Sequence, residues 1–186
     1  MVRSLQLDKE KAVLIIIDVQ EGLMKAMDRE VGKNLIRNLE ILIAFARDME
    51  IPMLVTEQYP KGLGRTIPEI GQALGPILPV EKVSFSCSKV APFDESLRQS
   101  GRKQVVLVGM ETHVCVLQTA ADLIERGYEV HVVADAVCSR RKLDWETGLR
   151  WMEKNGAMIS TTEIIAFQLL KEAGTDEFKR LSRMVK

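Results

Sequence analysis

The chain has 186 residues, of which 46% are hydrophobic and 28% are charged. This balance is typical of a globular protein rather than a disordered or fibrous one, and the length predicts one domain spanning residues 1–186. Lys plus Arg and Asp plus Glu both number 26, so no net charge is available to attract nucleic acid or an anionic membrane. We therefore expect a small-molecule partner, with neither nucleic acid nor membrane as a partner.

Apolar, β-branched runs predict strands buried on both faces, because their residues do not alternate between apolar and polar. The runs cover residues 13–18, 53–57, 105–110, 130–135 and 157–161, with a weaker candidate at 81–85. Helical periodicity lies between them, most clearly at residues 31–50 and 112–126, where Gly127 is a stop signal. This alternation predicts a three-layer α/β/α fold around a parallel sheet.

The segment 58–79 is rich in Gly and Pro. We interpret it as a long loop that builds a pocket. The apolar run at 13–17 is too short for a signal peptide or a membrane span, so we predict a cytoplasmic protein.

Ligands of parallel α/β sheets bind beyond the carboxyl ends of the strands, so polar residues at those ends are candidates for function. Asp18 follows four aliphatic residues, and a carboxylate buried there needs a partner. It could equally cap the next segment. Lys82, in the weaker strand, is either a site residue or an ordinary exposed lysine.

Cys115 lies at the start of the helix predicted for 112–126. With Thr112 as the N-cap, free N–H groups and the helix dipole favour its thiolate, which predicts a nucleophile with a pKa below ~8.5. The alternative is a buried, space-filling cysteine. Cys87 and Cys138 lack this setting and are assigned to packing or loops. Three cysteines at wide spacing also argue against a disulfide framework.

The two histidines are weaker candidates. His113 would point about 200° away from Cys115 around a helix, so we interpret it as structural or pocket-lining rather than as a base. His131 opens a predicted strand and has no metal-like partner nearby in the sequence.

Four segments resemble the isochorismatase-like cysteine hydrolases, a superfamily that includes nicotinamidases and N-carbamoylsarcosine amidases. They are "LIIIDVQ" (14–20), "EKVSFS" (81–86), the stretch 108–140 that begins "VGMETHVC", and "GAMISTTE" (156–163). The stretch "VTEQYPKGLGRTIPE" (55–69) is most similar to the isochorismatase-domain-containing subgroup. The resemblance implies a six-stranded parallel sheet ordered 3-2-1-4-5-6 and a homo-oligomer.

The resemblance also implies a role for each candidate. The residue matching Asp18 accepts the thiol proton, Lys82 holds the thiolate and the aspartate in place, and Cys115 attacks a carbonyl. A carboxylate base and an ammonium that favours a thiolate are chemically consistent with these roles. A cis peptide between Met110 and Glu111 is implied as well, aiming the N–H groups of Glu111 and Cys115 at an oxyanion.

We predict a substrate pocket lined by Gln20, Tyr59, Phe85 and Met110. Nicotinamidases carry metal-binding Asp and His residues after the second strand, whereas residues 56–62 of this chain contain neither. We therefore predict no metal and no cofactor, and nicotinamide is disfavoured as substrate.

The sequence favours a metal-free cysteine hydrolase that cleaves the C–N bond of a small amide through a thioester. Cys115 argues against hydrolysis of isochorismate, a vinyl ether that needs no thiol. The alternative is a catalytically weak binding or interaction protein, or a thiol redox sensor. Lys61 and Arg65 could meet a substrate carboxylate or could be solvated.

Overall fold

The computed structural model of the chain describes residues 6–185. Within them, six parallel strands form one sheet in the order β3-β2-β1-β4-β5-β6. The strands are β1 (Ala12–Ile17), β2 (Met53–Gln58), β3 (Val80–Lys82), β4 (Gln104–Met110), β5 (Glu129–Cys138) and β6 (Met158–Ser160). The predicted strand order 3-2-1-4-5-6 is thereby confirmed.

Helices cover both faces of the sheet, which confirms the three-layer architecture. They are α1 (Glu21–Met24), α2 (Arg29–Asp48), α3 (Pro60–Leu63), α4 (Pro68–Leu74), α5 (Ala91–Gln99), α6 (Leu117–Glu125), α7 (Lys142–Lys154), α8 (Thr162–Leu170) and α9 (Asp176–Leu181). Helices α2, α4 and α8 contribute to the apolar core on one face, and α5, α6 and α7 contribute to the core on the other. No helix within residues 6–185 is both long and apolar enough to span a membrane.

The central strand β1 explains why the apolar runs do not alternate with polar residues. Leu14 and Ile16 pack into the core beneath α2, while Val13, Ile15 and Ile17 pack into the opposite core. A strand buried on both faces requires apolar side chains at every position. The unbroken apolar run in the sequence therefore reflects the burial of β1 between two layers of helices.

Several predicted segments differ from the structure. Strand β3 ends at Lys82 rather than continuing to residue 85, and Val83 just beyond it is 78% exposed. The segment 58–79 is not one irregular loop, because it contains α3 and α4. Each of these helices has proline in its first turn, where the missing N–H has no intrahelical partner to lose.

The helix predicted for residues 112–126 begins with a π-helical turn over Thr112–Val116, and the α-helical part starts only at Leu117. The N–H of Val116 donates to the carbonyl of Glu111 at 3.2 Å, a five-residue step typical of a π turn. The prediction of Thr112 as N-cap is wrong, since Glu111 occupies the cap position. Within the described chain, the buried Thr112 hydroxyl has no hydrogen-bond partner.

Gly109, near the carboxyl end of β4, lies against the backbone at the end of β1 with no room for a side chain. It pairs with Ile17 and has φ 109°. A Cβ atom at this position would clash with the backbone carbonyl oxygen of Ile17. The absence of a side chain therefore allows the end of β1 to lie against the turn that follows β4.

Candidate active site

Asp18 lies one residue beyond β1, at the carboxyl edge of the sheet. Its backbone has φ 51°, a left-handed conformation that aspartate tolerates better than most residues. Its N–H donates to the carbonyl of Thr56 at 3.1 Å, and its Oδ1 accepts a hydrogen bond from Thr56 Oγ1 at 2.7 Å. The side chain is fully buried. Asp18 is thus fixed by β2 at both backbone and side chain.

Lys82, the last residue of β3, reaches across β2 to this carboxylate. Its Nζ donates to Asp18 Oδ2 at 2.7 Å and to Gln58 Oε1 at 2.8 Å. The carbonyls of Ser84 and Phe85 accept from the same Nζ at 3.3 and 3.2 Å. The three ammonium protons therefore all have acceptors within the protein. One of these acceptors is the Asp18 carboxylate, which the buried cation holds in place.

The charge environment keeps Lys82 protonated. Burial, the largest single effect, lowers the pKa of the ammonium, but the effects that raise it, first among them the charge of the neighbouring Asp18, outweigh burial and the pKa is raised. A buried ammonium beside a carboxylate thus remains a cation at neutral pH.

Cys115 lies in the π-helical turn after β4 and is 5% exposed. Burial raises the pKa of its thiol, the Asp18 charge and a hydrogen bond with Asp18 raise it further, and Lys82 only partly opposes them. The predicted pKa below that of a free cysteine is therefore wrong in direction. Removal of the thiol from water and the adjacent Asp18 outweigh the ammonium of Lys82, so the resting group is a neutral thiol facing a carboxylate.

The peptide bond between Met110 and Glu111, immediately before this turn, is cis. The Glu111 carboxylate points to Arg140, accepting from its Nε at 3.0 Å and from its backbone N–H at 3.3 Å. The Met110 side chain is fully buried in the core on the α2 face. Met110 therefore supports the turn through packing.

Gln20 is completely buried, and its amide is hydrogen-bonded to the loops around the site. Its Nε2 donates to the carbonyls of Gln58 and Gly64 at 3.0 and 2.7 Å. Its Oε1 accepts from the N–H of Gln58 at 2.7 Å. The side chain thus joins the end of β2 to the end of α3, and it acts on the shape of the pocket through those backbones.

Two aromatic side chains lie partly open beside Lys82. Tyr59 is 53% exposed and Phe85 is 51% exposed. The N–H of Tyr59 donates to the carbonyl of Lys82 at 2.8 Å, while the carbonyl of Phe85 accepts from Lys82 Nζ. Tyr59 and Lys82 both line a surface groove of about 610 Å³. The backbones of both aromatic residues are therefore tied to Lys82, one through its carbonyl and the other through its ammonium.

Arg65 and His113 are engaged elsewhere. Arg65 forms ion pairs with Glu57 and Glu81, so its guanidinium is already neutralised. His113 Nδ1 is hydrogen-bonded to Ser139 Oγ at 3.0 Å. This contact is consistent with a structural role for His113 rather than that of a base. Lys61 lines the 610 Å³ groove with Tyr59.

Three neighbours of the ion pair were missed by sequence reasoning: Thr56, Gln58 and Cys87. Thr56 and Gln58 lie at the end of β2, the strand between Asp18 and Lys82 in the sheet. The strand-end rule, applied to β2, would have found both. Cys87, assigned to packing or loops, is fully buried, and its Sγ lies 3.7 Å from Thr56 Oγ1. Nothing in the local sequence signals that contact.

The donor set does not indicate a metal centre. Across residues 6–185, no three His, Cys, Asp or Glu side chains are grouped in a way that could hold a metal ion. The carboxylate at the site, Asp18, is already bonded at both oxygens by Thr56 and Lys82.

Comparison with known proteins gives consistent matches. Residues 12–164 match the model of the Isochorismatase domain family. Isochorismatase domain-containing protein 2 of Danio rerio is 38% identical over 181 residues, covering 97% of this chain and 89% of the relative. A solved structure described as MAR1 ribonuclease from Caenorhabditis elegans has a TM-score of 0.89 at 36% identity, covering 97% of this chain and 92% of that one.

A second structure, the YcaC gene product of Escherichia coli, is described as an octameric hydrolase of unknown specificity. It has a TM-score of 0.86 at 23% identity, covering 100% of this chain and 89% of that chain. At this level of identity the match speaks for the fold alone.

Proposed function

The chain belongs to the isochorismatase domain family, and we propose that it is a metal-independent cysteine hydrolase that cleaves the C–N bond of a small amide. The observation that carries this proposal is the buried pair of Asp18 and Lys82, 2.7 Å apart, beside the thiol of Cys115. A thiol next to a fixed carboxylate is an arrangement suited to nucleophilic attack with proton transfer.

The raised pKa of Cys115 makes the carboxylate essential to the proposed reaction. The proton leaves Sγ for Asp18 as Sγ bonds to the amide carbonyl carbon, and the carbonyl electron pair moves onto the oxygen. When the tetrahedral intermediate collapses, the C–N bond breaks and Asp18 returns the proton to the leaving nitrogen. Water then attacks the thioester, with Asp18 again as the base, and releases the acid and the thiol.

Lys82 and the backbone supply the electrostatics of the proposal. Lys82 keeps the carboxylate in place and offsets the negative charge that develops on Sγ. We assign the oxyanion to the N–H groups of Glu111 and Cys115, because donors fixed in the nucleophile turn can meet the developing charge without reorganisation. Gln20 and Met110 act by shaping the walls, whereas Tyr59 and Phe85 contact substrate at the mouth.

The exposure of the thiol favours a hydrolase over a redox sensor. Sensor cysteines are typically accessible and have a low pKa, whereas Cys115 is almost fully buried and its pKa is raised. A binding or interaction protein on the same fold remains the alternative, and turnover distinguishes the two.

The test is release of ammonia or amine from a panel of small primary and secondary amides, after dialysis against EDTA. Wild-type protein is expected to turn over at least one amide, Cys115→Ala to turn over none, and Cys138→Ala to match wild type. Release that persists in Cys115→Ala would contradict the thiol mechanism. Activity that is lost on chelation and restored by zinc would contradict the metal-independent route.

The panel also contains isochorismate and a single-stranded RNA, because the names of similar proteins include the words isochorismatase and ribonuclease. Cleavage of RNA or isochorismate with no amide turnover would replace the proposed reaction. The homo-oligomer and the cytoplasmic location stay predictions, to be checked by light scattering and by localisation of the tagged protein.

A further inference from the structure

The Asp18 carboxylate is held at both oxygens, by donors from different strands. Lys82 of β3 bonds Oδ2 and Thr56 of β2 bonds Oδ1, each at 2.7 Å. All three residues are buried. Two donors at fixed positions determine the orientation of the carboxylate as well as its location. With Lys82 as the only donor, the carboxylate could still rotate about its Oδ2 contact.

The direction of the Thr56 hydrogen bonds follows from the donor count. A hydroxyl has one proton, and Thr56 directs it to the Asp18 carboxylate, which at this oxygen only accepts. The 3.7 Å contact between Thr56 Oγ1 and Cys87 Sγ is therefore one in which the thiol donates. Burial raises the pKa of Cys87 to about 11, so the thiol keeps the proton that it donates.

Cys87 is itself fixed from the other side. Its backbone N–H donates to Thr119 Oγ1 at 3.0 Å, and both residues are fully buried. The chain of contacts thus runs from α6 through Cys87 and Thr56 to Asp18. Each residue in this chain limits the rotation of the next. Surrounding hydrogen bonds of this kind keep a reacting group in a fixed orientation.

We propose that Thr56 is a positioning residue that aims the Asp18 carboxylate at the Cys115 thiol. The proposal rests on the function proposed above, since it assigns Thr56 to the same proton transfer. Thr56 acts through Asp18, and Cys87 keeps its hydroxyl in the required orientation.

The test uses iodoacetamide, which needs no knowledge of the substrate. The Cys115 sulfur displaces iodide while its proton passes to Asp18, and peptide mass spectrometry measures the rate at Cys115 alone. The variants are Asp18→Asn, Thr56→Val and Thr56→Ser. Thr162→Val is the matched control, because it removes a buried threonine hydroxyl that donates to another aspartate, Asp135, at 3.0 Å.

Thr56→Val is expected to slow alkylation of Cys115 by about tenfold or more, the usual scale for loss of a supporting contact. Thr56→Ser keeps the hydroxyl and is expected to stay within about threefold of wild type, because serine offers the same donor. Thr162→Val is expected to match wild type in rate even where it lowers the melting temperature.

The outcomes separate this proposal from the one on which it rests. If Cys115 reacts in an Asp18-dependent manner and Thr56→Val keeps the wild-type rate, the role of Thr56 is wrong and the hydrolase mechanism stands. If Thr56→Ser is as slow as Thr56→Val, the hydroxyl is not the operative group and the proposal is again overturned. If Asp18→Asn leaves the rate at Cys115 unchanged, both proposals fail together.

Discussion

The Nζ of Lys82 and Oδ2 of Asp18 lie 2.7 Å apart, and both side chains are completely buried. A buried ion pair of this kind is costly to break, because removal of one partner leaves an uncompensated charge. Asp18 immediately follows β1, and Lys82 is the last residue of the edge strand β3, with β2 between the two strands. The pair therefore links the stability of this edge of the sheet to the proposed chemistry.

Lys82→Met is expected to destabilise the fold by about 3–5 kcal/mol, since Asp18 is left buried without its cation. The double variant Asp18→Asn/Lys82→Met is expected to recover at least about 1 kcal/mol of that loss, because no unpaired charge remains. Urea unfolding at pH 7 measures both.

Lys179→Met, which removes an exposed partner of Asp176, is the matched control and is expected to change stability little. Equal stability of Lys82→Met and wild type would show that the pair does not contribute as described.

Asp18→Asn and Lys82→Ala are each expected to lower amide turnover by about 10²–10⁴-fold, the usual contribution of a positioned acid or base. The reason is that the neutral Cys115 thiol depends on Asp18 as acceptor and on Lys82 to fix that acceptor. Initial rates with the amide that wild type turns over give the comparison, with circular dichroism to confirm folding. A folded Asp18→Asn variant with near wild-type turnover would remove the carboxylate from the mechanism.

Alkaline pH is expected to destabilise the protein through its buried thiols. Burial raises the pKa of Cys138 from 9.0 to about 12, so the folded chain keeps this proton while the unfolded chain releases it above pH ~9. The unfolded state then binds fewer protons, and stability falls as pH rises, by up to ~1.4 kcal/mol per pH unit for one group.

Urea unfolding of wild type and Cys138→Val at pH 8 and pH 10, both with reductant, measures the contribution of Cys138 to this loss of stability. The variant is expected to lose less stability than wild type over that interval. Equal losses would mean that Cys138 ionises alike in the folded and unfolded chain.

Acidic pH is expected to destabilise the protein through His131. This histidine is buried in β5, and its Nε2 has no hydrogen-bond partner within residues 6–185. Burial, only partly opposed by Glu129, lowers its pKa from the ordinary 6.5. The unfolded chain therefore binds a proton below pH ~6.5 that the folded chain does not, and stability falls as pH drops through that value.

His131→Leu removes this titration and is expected to show a shallower loss of stability between pH 7 and pH 5. The midpoints of urea unfolding across that range give the slope for each protein. A slope identical to that of wild type would assign the acid sensitivity to other groups.

The fold was largely predictable from the sequence because the relevant signals are local. Unbroken apolar runs such as the one preceding Asp18 predict buried parallel strands, and the strand-end rule then places polar residues at one edge. That reasoning, together with the family resemblance, predicts Asp18, Lys82 and Cys115 as site residues. The structure places Asp18 and Lys82 in direct contact.

The features that the sequence did not predict depend on tertiary contacts and burial. The π turn at Thr112–Val116 is only five residues long, too short for its apolar residues to show a period that differs from that of an α-helix. The pKa of Cys115 depends on its burial and on the neighbouring Asp18, which together outweigh Lys82. The contacts of Thr56 and Cys87 arise from the pairing of β2 with β1 and from the short 3₁₀ helix Cys87–Lys89, which begins 31 residues further along the chain than Thr56.

The central claim is that Cys115 forms an acyl-enzyme, and acid quenching during turnover of a small amide tests it most directly. Peptide mapping by mass spectrometry is expected to find the acyl group on Cys115, with removal by hydroxylamine as for a thioester and no adduct in Cys115→Ala. Amine release at the wild-type rate with no acyl group on Cys115, or an acyl group on Cys87 instead, would contradict the account.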